Sequence, residues 1–263
     1  MVFLCAAALR MTSAQSSSLD GIAHVALRVD DVAKSREFYE KLGFEQAFQF
    51  DQDGKVTQAF IKINDRQFIE LYPRTQDDQI VGLMHVCYES SHIEELRSAY
   101  LKAGLSPTEV KKARAGNLLF VLRDPEGQLV EYTQYLPGSL HWEDRGKHLG
   151  EERIAHQLHG ITIPVKDANA ERDFYVGKLS FPKTGMASQQ VALLVPGGDA
   201  SIALTQTGPA QLWFALLNAK GTKKKIQDAG LTGKADGRRL VVRDPDGNEI
   251  VFELMPEHPG TAR

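Results

Sequence analysis

Apolar and polar positions along the chain follow one order that returns four times. Ile22, His24 and Ala26 alternate as in a half-buried strand, Asp30 or Asp31 can cap a helix, and Ala33, Phe38, Tyr39 and Leu42 give that helix a buried face. Gly43 ends it. Strand-like stretches then cover Val56–Ile63 and Gln67–Tyr72 around a polar turn at Asn64-Asp65-Arg66. The unit is a strand, a helix and about three strands. It returns with a strand over Gly82–Tyr88, a helix over His92–Ala103 closed by Gly104, a strand over Leu118–Leu122, a turn at Asp124-Pro125-Glu126-Gly127 and a strand over Gln128–Gln134.

Residues 137–156 break the order with Pro, Gly and mixed charge, which marks a linker. The third unit reads as a strand over Leu158–Val165, a helix over Asn169–Leu179, and strands over Val191–Val195 and Ala200–Thr205. The fourth has strands at Leu212–Leu217 and Leu240–Val242, a helix at Gly221–Ala229, and a turn at Asp244-Pro245-Asp246-Gly247 leading into Asn248–Leu254. The pattern predicts an α+β protein of four βαβββ units paired into two domains, 20–136 and 157–255, with a tail at 256–263.

Composition narrows the class. A net charge of −3, with 42% hydrophobic and 25% charged residues, is that of an ordinary globular chain. Lys223, Lys224 and Lys225 read as a solvated helix face, so nucleic acid is not expected as a partner. The two cysteines, Cys5 and Cys87, imply no disulfide framework. The apolar run Val2–Leu9, followed by small residues and three serines, has the shape of the back half of a secretory signal with cleavage near Ala14, although no Lys or Arg precedes it. Residues 1–19 are expected to be such a signal segment or a disordered tail, and the protein to be secreted or periplasmic, with the cytoplasm as the alternative. No stretch is long enough to span a bilayer.

The chemistry lies in four residues at matched places. His24 and His85 sit on the first strands of units 1 and 2, Glu70 and Glu131 on the last, and the two His-to-Glu spacings are identical. A carboxylate set between apolar neighbours in a strand, as Glu70 is between Ile69 and Leu71, needs water, a partner or a metal. Two imidazoles and two carboxylates suit one divalent ion such as Zn, Ni, Co, Fe or Mn. Strand alternation places Ile22, Ala26 and Arg28 on the face of His24, Phe68 and Tyr72 with Glu70, Leu83 and Cys87 with His85, and Leu129 and Thr133 with Glu131. Arg28, Phe68, Tyr72, Cys87 and Thr133 are the substrate-binding candidates among them, lining an apolar bowl for a small organic molecule.

"HVALRVDD", "REFYEKLGF", "FIELY", "LMHV" and "RDPEGQLVEY" resemble the vicinal-oxygen-chelate superfamily, which includes glyoxalase I, methylmalonyl-CoA epimerase, extradiol dioxygenases and bleomycin resistance proteins. The resemblance implies curved open sheets with the metal in the hollow of each pair of units. In the second domain the same alignment sets Gly160, Ala203, Phe214 and Val251 opposite the four ligands, with His159 one residue out of place and Glu253 two beyond, so no metal is expected there. That domain is left to pack, to form a homodimer or to cover the first site. His141, His148 and His156 fall in or at the end of the linker and read as solvated. Pairing unit 1 with unit 2 gives one complete site, whereas pairing unit 1 with unit 4 would bury two half-sites. The resemblance implies a glyoxalase-like enzyme acting by proton abstraction next to a metal-polarised oxygen, an isomerase, epimerase or lyase, with Glu131 as base and Glu70 as the alternative. The alternatives are an extradiol-type Fe(II) dioxygenase using His24, His85 and Glu131, and a binding protein without turnover.

Overall fold

The computed structural model describes residues 19–254 apart from 188–189, 217–218 and 237–238. The segment 1–18, on which most of the leader expectation falls, and the tail from 255 lie outside the described residues. The first unit comprises β1 (Gly21–Val29), α1 (Val32–Lys41), β2 (Glu45–Gln52), β3 (Lys55–Lys62) and β4 (Phe68–Pro73). The second comprises β5 (Gly82–Glu89), α2 (Ile93–Lys102), β6 (Lys111–Lys112), β7 (Leu118–Arg123) and β8 (Leu129–Gln134). A short helix, α3 (Leu140–Glu143), lies in the connection. There follow β9 (Ala155–Pro164), α4 (Ala168–Gly177), β10 (Lys183–Ala187), β11 (Gln190–Leu194) and β12 (Ser201–Thr205), then β13 (Gln211–Leu216), α5 (Ala219–Asp228), β14 (Lys234–Asp236), β15 (Arg239–Arg243) and β16 (Glu249–Glu253).

Units 1 and 2 form one eight-stranded sheet in the order β2-β3-β4-β1-β5-β8-β7-β6, and units 3 and 4 repeat it as β10-β11-β12-β9-β13-β16-β15-β14. The α+β architecture of four βαβββ units in two curled mixed sheets is therefore the one the sequence predicts. In each sheet the two first strands pair antiparallel at the centre, and each runs parallel to the last strand of its own unit. The short edge strands β6 and β14 have no apolar alternation to announce them and carry lysines, which discourage further strand pairing.

Local chemistry places the helices. The Asp31 carboxylate accepts from the amides of Ala33 (2.9 Å) and Lys34 (3.1 Å), and Asp167 does the same for Asn169 and Ala170. Gly43 ends α1 with φ 83°, and a Cβ there would fall 2.4 Å from the carbonyl oxygen of Glu152. The helix-bearing faces of the two sheets meet in one apolar core that joins Val25, Leu27 and Tyr39 to Leu158, Ile161 and Tyr175. Phe44 meets Phe214 and Tyr88 meets Phe181 across it. Among the described residues no helix is long and apolar enough to cross a membrane.

The seam between the sheets is polar at its rim and nearly two-fold. Asp246 accepts from the Asp30 amide (2.9 Å) and the Ser35 hydroxyl (3.2 Å) at the start of α1. On the opposite side Glu126 accepts from the amides of Lys166 and Asp167 (2.8 Å) at the start of α4. One difference is that α4 carries Glu171 in the place of Ser35. Glu171 is fully buried, and its Oε2 has no hydrogen-bond partner. Burial, reinforced by the nearby carboxylates of Asp124 and Glu126, raises its pKa to about 8 from an ordinary 4.5. The folded chain thus holds a proton that the unfolded chain releases, so stability is greatest below the unfolded pKa and falls as pH climbs toward 8. Glu171→Gln is expected to add about 1–3 kcal/mol at that pH and to flatten the decline. Urea unfolding across the range checks this; a variant weaker than the parent at high pH would contradict it.

Candidate metal centre

Two β-bulges decide which side chains share the face opposite the helices, the inner face. Between β1 and β5 the register jumps from Ile22↔Tyr88 to His24↔Cys87, which leaves Ala23 extra. Ile22 therefore turns to the helix-side core with Val25 and Leu27, and Ala23 joins Phe60, Phe68 and Cys87 on the inner face. The expectation that Ile22 shares the face of His24 is corrected. A second jump, between Ala26↔His85 and Leu27↔Leu83, leaves Met84 extra and packs Leu83 against the helix-side core rather than beside His85. Strict alternation cannot see either event, because a bulge resets the period-2 pattern.

With these registers the inner face has two rows across the central strands. One row is Phe68, His24, Cys87 and Glu131; the next is Glu70, Ala26, His85 and Leu129. The small Ala26 leaves room for Glu70 and His85 to lean toward His24. All four predicted ligands meet there. His24 Nε2 lies 3.3 Å from His85 Nε2 and 3.4 Å from Glu131 Oε1, while His24 Nδ1 lies 3.4 Å from Glu70 Oε1. Glu131 Oε2 is 3.9 Å from His85 Nε2. Two overlapping groups, His24–Glu70–His85 and His24–Cys87–Glu131, have ligand atoms within 4.8 Å of one another and could hold a metal ion.

The donor set fits a divalent cation. Burial lowers the pKa of His24 and lowers that of His85 to about 4, so both rings keep a lone pair at neutral pH. Burial raises Glu70 and Glu131 above the ordinary range. No Lys or Arg among the described residues forms an ion pair with either carboxylate, and Lys111 acts on Glu131 only at longer range. Buried negative charge without a nearby ammonium or guanidinium is what a bound cation would offset.

The other predicted residues fall in different places. Tyr72 donates to Glu70 Oε2 (3.0 Å), as does Gln58 (2.8 Å), a residue the sequence did not single out although it alternates with Phe60 on β3. Cys87 is fully buried beside Glu131, and burial followed by the two carboxylates holds its thiol well above the usual range. Phe68 is buried in an aromatic cluster with Phe48, Phe60 and Tyr135. The Thr133 hydroxyl is occupied, accepting from Asn117 (2.7 Å) and donating to the Leu118 carbonyl (3.0 Å). Arg28 reaches the Ile80 carbonyl (3.2 Å) at the end of β1, outside the cluster around His24.

The linker straps the inner face through a few buried residues, Ser139, His141 and Asp144, while most of its other residues are exposed. His141 of α3 is 2% exposed and packs on the aromatic cluster, whereas His148, in contact with Asp144 at 2.5 Å, and His156 are exposed as expected. No periodicity marks a single buried turn inside a Pro- and Gly-rich connection, which is why His141 escapes sequence reasoning.

The second sheet repeats the register with other residues. Gly160↔Trp213 stands where His24↔Cys87 does, Thr162↔Gln211 where Ala26↔His85 does, and Trp213↔Val251 where Cys87↔Glu131 does. The ligand positions hold Gly160, Ala203, Gln211 and Val251. Phe214, aligned with His85 on sequence, instead occupies the place of Tyr88 in the core; the apolar run of β13 has no polar marker to fix its register. Gln211 is satisfied by Thr162 (3.0 Å) and Glu249 (2.7 Å).

Residues 21–132 match the profile of the Glyoxalase/Bleomycin resistance protein/Dioxygenase superfamily, and the chain belongs to that superfamily. A virulence protein of Salmonella typhimurium (STM3117) is 32% identical over 146 residues, which cover 52% of this chain and all of that protein. The Mn(II)-bound glyoxalase from Novosphingobium aromaticivorans superposes with a TM-score of 0.69 at 16% identity, over 91% of this chain and 84% of that one. The 2,3-dioxygenase LapB from Pseudomonas sp. KL28 does so with a TM-score of 0.68 at 15% identity, over 94% and 96%. An extradiol ring-cleaving dioxygenase from B. fuscum gives 0.68 at 18% identity, over 94% and 74%. At these identities the three structures share the fold.

Proposed function

We propose that the chain is a divalent-metal enzyme acting on a small oxygenated organic substrate by proton transfer next to a metal-held oxygen. The observation that carries the reading is the meeting of His85 and Glu131 at one nitrogen of His24 and of Glu70 at the other, all within one sheet. His24, His85 and Glu131, with Glu70, would hold the ion. When bound, a divalent ion supplies a Lewis acid that acidifies a C–H beside a substrate oxygen. Glu131 is the base: its side chain is 13% exposed, against 3% for His24 and 5% for Glu70, so a substrate reaches it first. Burial raises its basicity toward the range a general base needs. Tyr72 and Gln58 both donate to Glu70 Oε2, which leaves Glu70 Oε1, 3.4 Å from His24 Nδ1, to complete the ligand set. The outcome would be an isomerisation, an epimerisation or an elimination.

The position of Glu70 also favours a second reading. If it stays at Nδ1, only His24, His85 and Glu131 surround the shared point, the ligand number of an Fe(II) oxygenase. The two readings separate on oxygen. A panel of 2-hydroxy acids, 2-oxo acids, hemithioacetals and catechols should be tested with Zn(II), Mn(II) and Fe(II), in air and under argon. Turnover is expected to persist under argon with Zn(II) or Mn(II); catechol cleavage that requires both Fe(II) and oxygen would hand the chain to the second reading.

A further inference from the structure

The inner face of the first sheet holds a second set of buried polar atoms, brought by the strap. Ser139 caps α3, and the Leu140 amide donates to the Ala115 carbonyl (2.8 Å), which fixes one end. At the other end Asp144 is paired with the buried Lys62 (2.7 Å). Between these anchors the strap buries His141. Its ring stacks on Tyr135 with centroids 4.5 Å apart and meets Phe48, Phe60 and Phe68 edge-on at 5.1, 5.4 and 4.9 Å. Phe68 is the lateral neighbour of His24 in the sheet.

Neither ring nitrogen of His141 has a hydrogen-bond partner, and neither does the hydroxyl of Tyr135 stacked on it. Both residues are more than nine-tenths buried. Each such atom gives up hydration with nothing in return. A histidine kept for structure spends its nitrogens on neighbours, and a space filler in an aromatic box does better as a hydrocarbon. Burial, and then the charge of His24, lowers the pKa of His141 to about 3, so at neutral pH the ring offers one donor and one acceptor. A neutral donor–acceptor pair beside a metal centre is equipped to grip a ligand oxygen.

We propose that His141, with Tyr135, is a substrate-contacting pair delivered by the linker, gripping the outer oxygen of a small planar ligand whose inner oxygen is held at the His24–His85–Glu131 centre. The inference rests on the metal-enzyme reading and adds to it a contact supplied from outside the repeated units. It assigns the ligand a class: a flat molecule with at least two oxygens, one for the ion and one for the imidazole.

The test uses the full chain, benzohydroxamate as a planar two-oxygen probe, and the variants His141→Leu and His141→Gln. Zinc affinity is measured first, by competition with a chromophoric chelator. Benzohydroxamate binding to the zinc-loaded proteins is then measured by calorimetry, and the melting temperature of each metal-free protein is recorded. Zinc affinity should agree within about threefold across all three proteins. Benzohydroxamate should bind His141→Leu about tenfold more weakly or worse, and His141→Gln within about threefold of the parent, because the amide restores a donor and an acceptor. Metal-free His141→Leu should melt about 2–6 °C higher, since two unpaired polar atoms are gone. Unchanged probe affinity in zinc-loaded His141→Leu, no probe binding by the zinc-loaded parent, or a lower melting temperature for the Leu variant would each overturn the proposal. Failure of the parent to bind zinc appears before any probe is added and removes the metal-enzyme reading with it.

Discussion

His85→Ala is expected to weaken metal binding by at least about 100-fold, more than an outer-shell change would. His85 Nε2 faces His24 Nε2 at 3.3 Å and is 3.9 Å from Glu131, and its own lateral neighbours on the inner face are Ala26 and Leu129, which have no donor atom. Alanine would leave a hole that no neighbouring ligand can fill. The parent should bind about one ion per chain, because the equivalent positions of the second sheet hold Gly160, Ala203, Gln211 and Val251. The pH dependence has a definite sign. Burial raises Glu70 and Glu131, so protons compete with the ion for these carboxylates and affinity should fall as pH falls. Elemental analysis after dialysis, with chelator competition at several pH values, checks all three points. Two tightly held ions per chain, or a His85→Ala protein that keeps the parental affinity, would refute the assignment.

Lys62→Met should cost about 3–5 kcal/mol, the usual result of removing one partner from a buried pair. Lys62 is 0% exposed and lies 2.7 Å from the carboxylate of Asp144, whose side chain is 6% exposed. It also reaches the backbone oxygen of Asp144 and, at 3.0 Å, the half-exposed Asp65. Without the ammonium, the Asp144 carboxylate keeps His148 at 2.5 Å but loses its main counter-charge. The strap that carries His141 is then the first element to loosen. In the double variant Lys62→Met/Asp144→Leu much of the loss should return, because no charge is left stranded. Urea unfolding of the parent, Lys62→Met, Asp144→Leu and the double variant gives the coupling directly. A single-variant loss below about 1 kcal/mol would mean that the pair does not clamp the strap.

The four repeated units and four of the residues that meet at the site were legible in the sequence for a simple reason. A repeat writes the same constraint four times, and His24, Glu70, His85 and Glu131 stand at matched places in two of the copies. What alternation could not deliver was the local phase. Ala23 and Met84 each add a residue to one strand only, so Ile22 and Leu83 turn away from the site although their spacing says otherwise. Gln211 was hidden because β13 is an apolar run whose register only its partner strands fix. Gln58 and His141 were hidden because each matters through a contact distant in sequence, the first with Glu70 on another strand, the second with an aromatic cluster that the linker reaches only in three dimensions. Contacts of that kind leave no periodic trace.

The bulge that falls on Ala23 in the first sheet falls on His159 in the second. An imidazole is thus present in the second copy, one step short of the position from which His24 works. Moving it forward is not a simple exchange. A Cβ added at Gly160 would sit 3.3 Å from the Ser201 hydroxyl and 3.4 Å from Trp213 Cβ, tighter than side chains ordinarily pack. A histidine grafted at Gly160 would need Ser201 to give by a few tenths of an ångström. A full donor set in the second copy would take exchanges at Gly160, Ala203, Gln211 and Val251 together with that local shift.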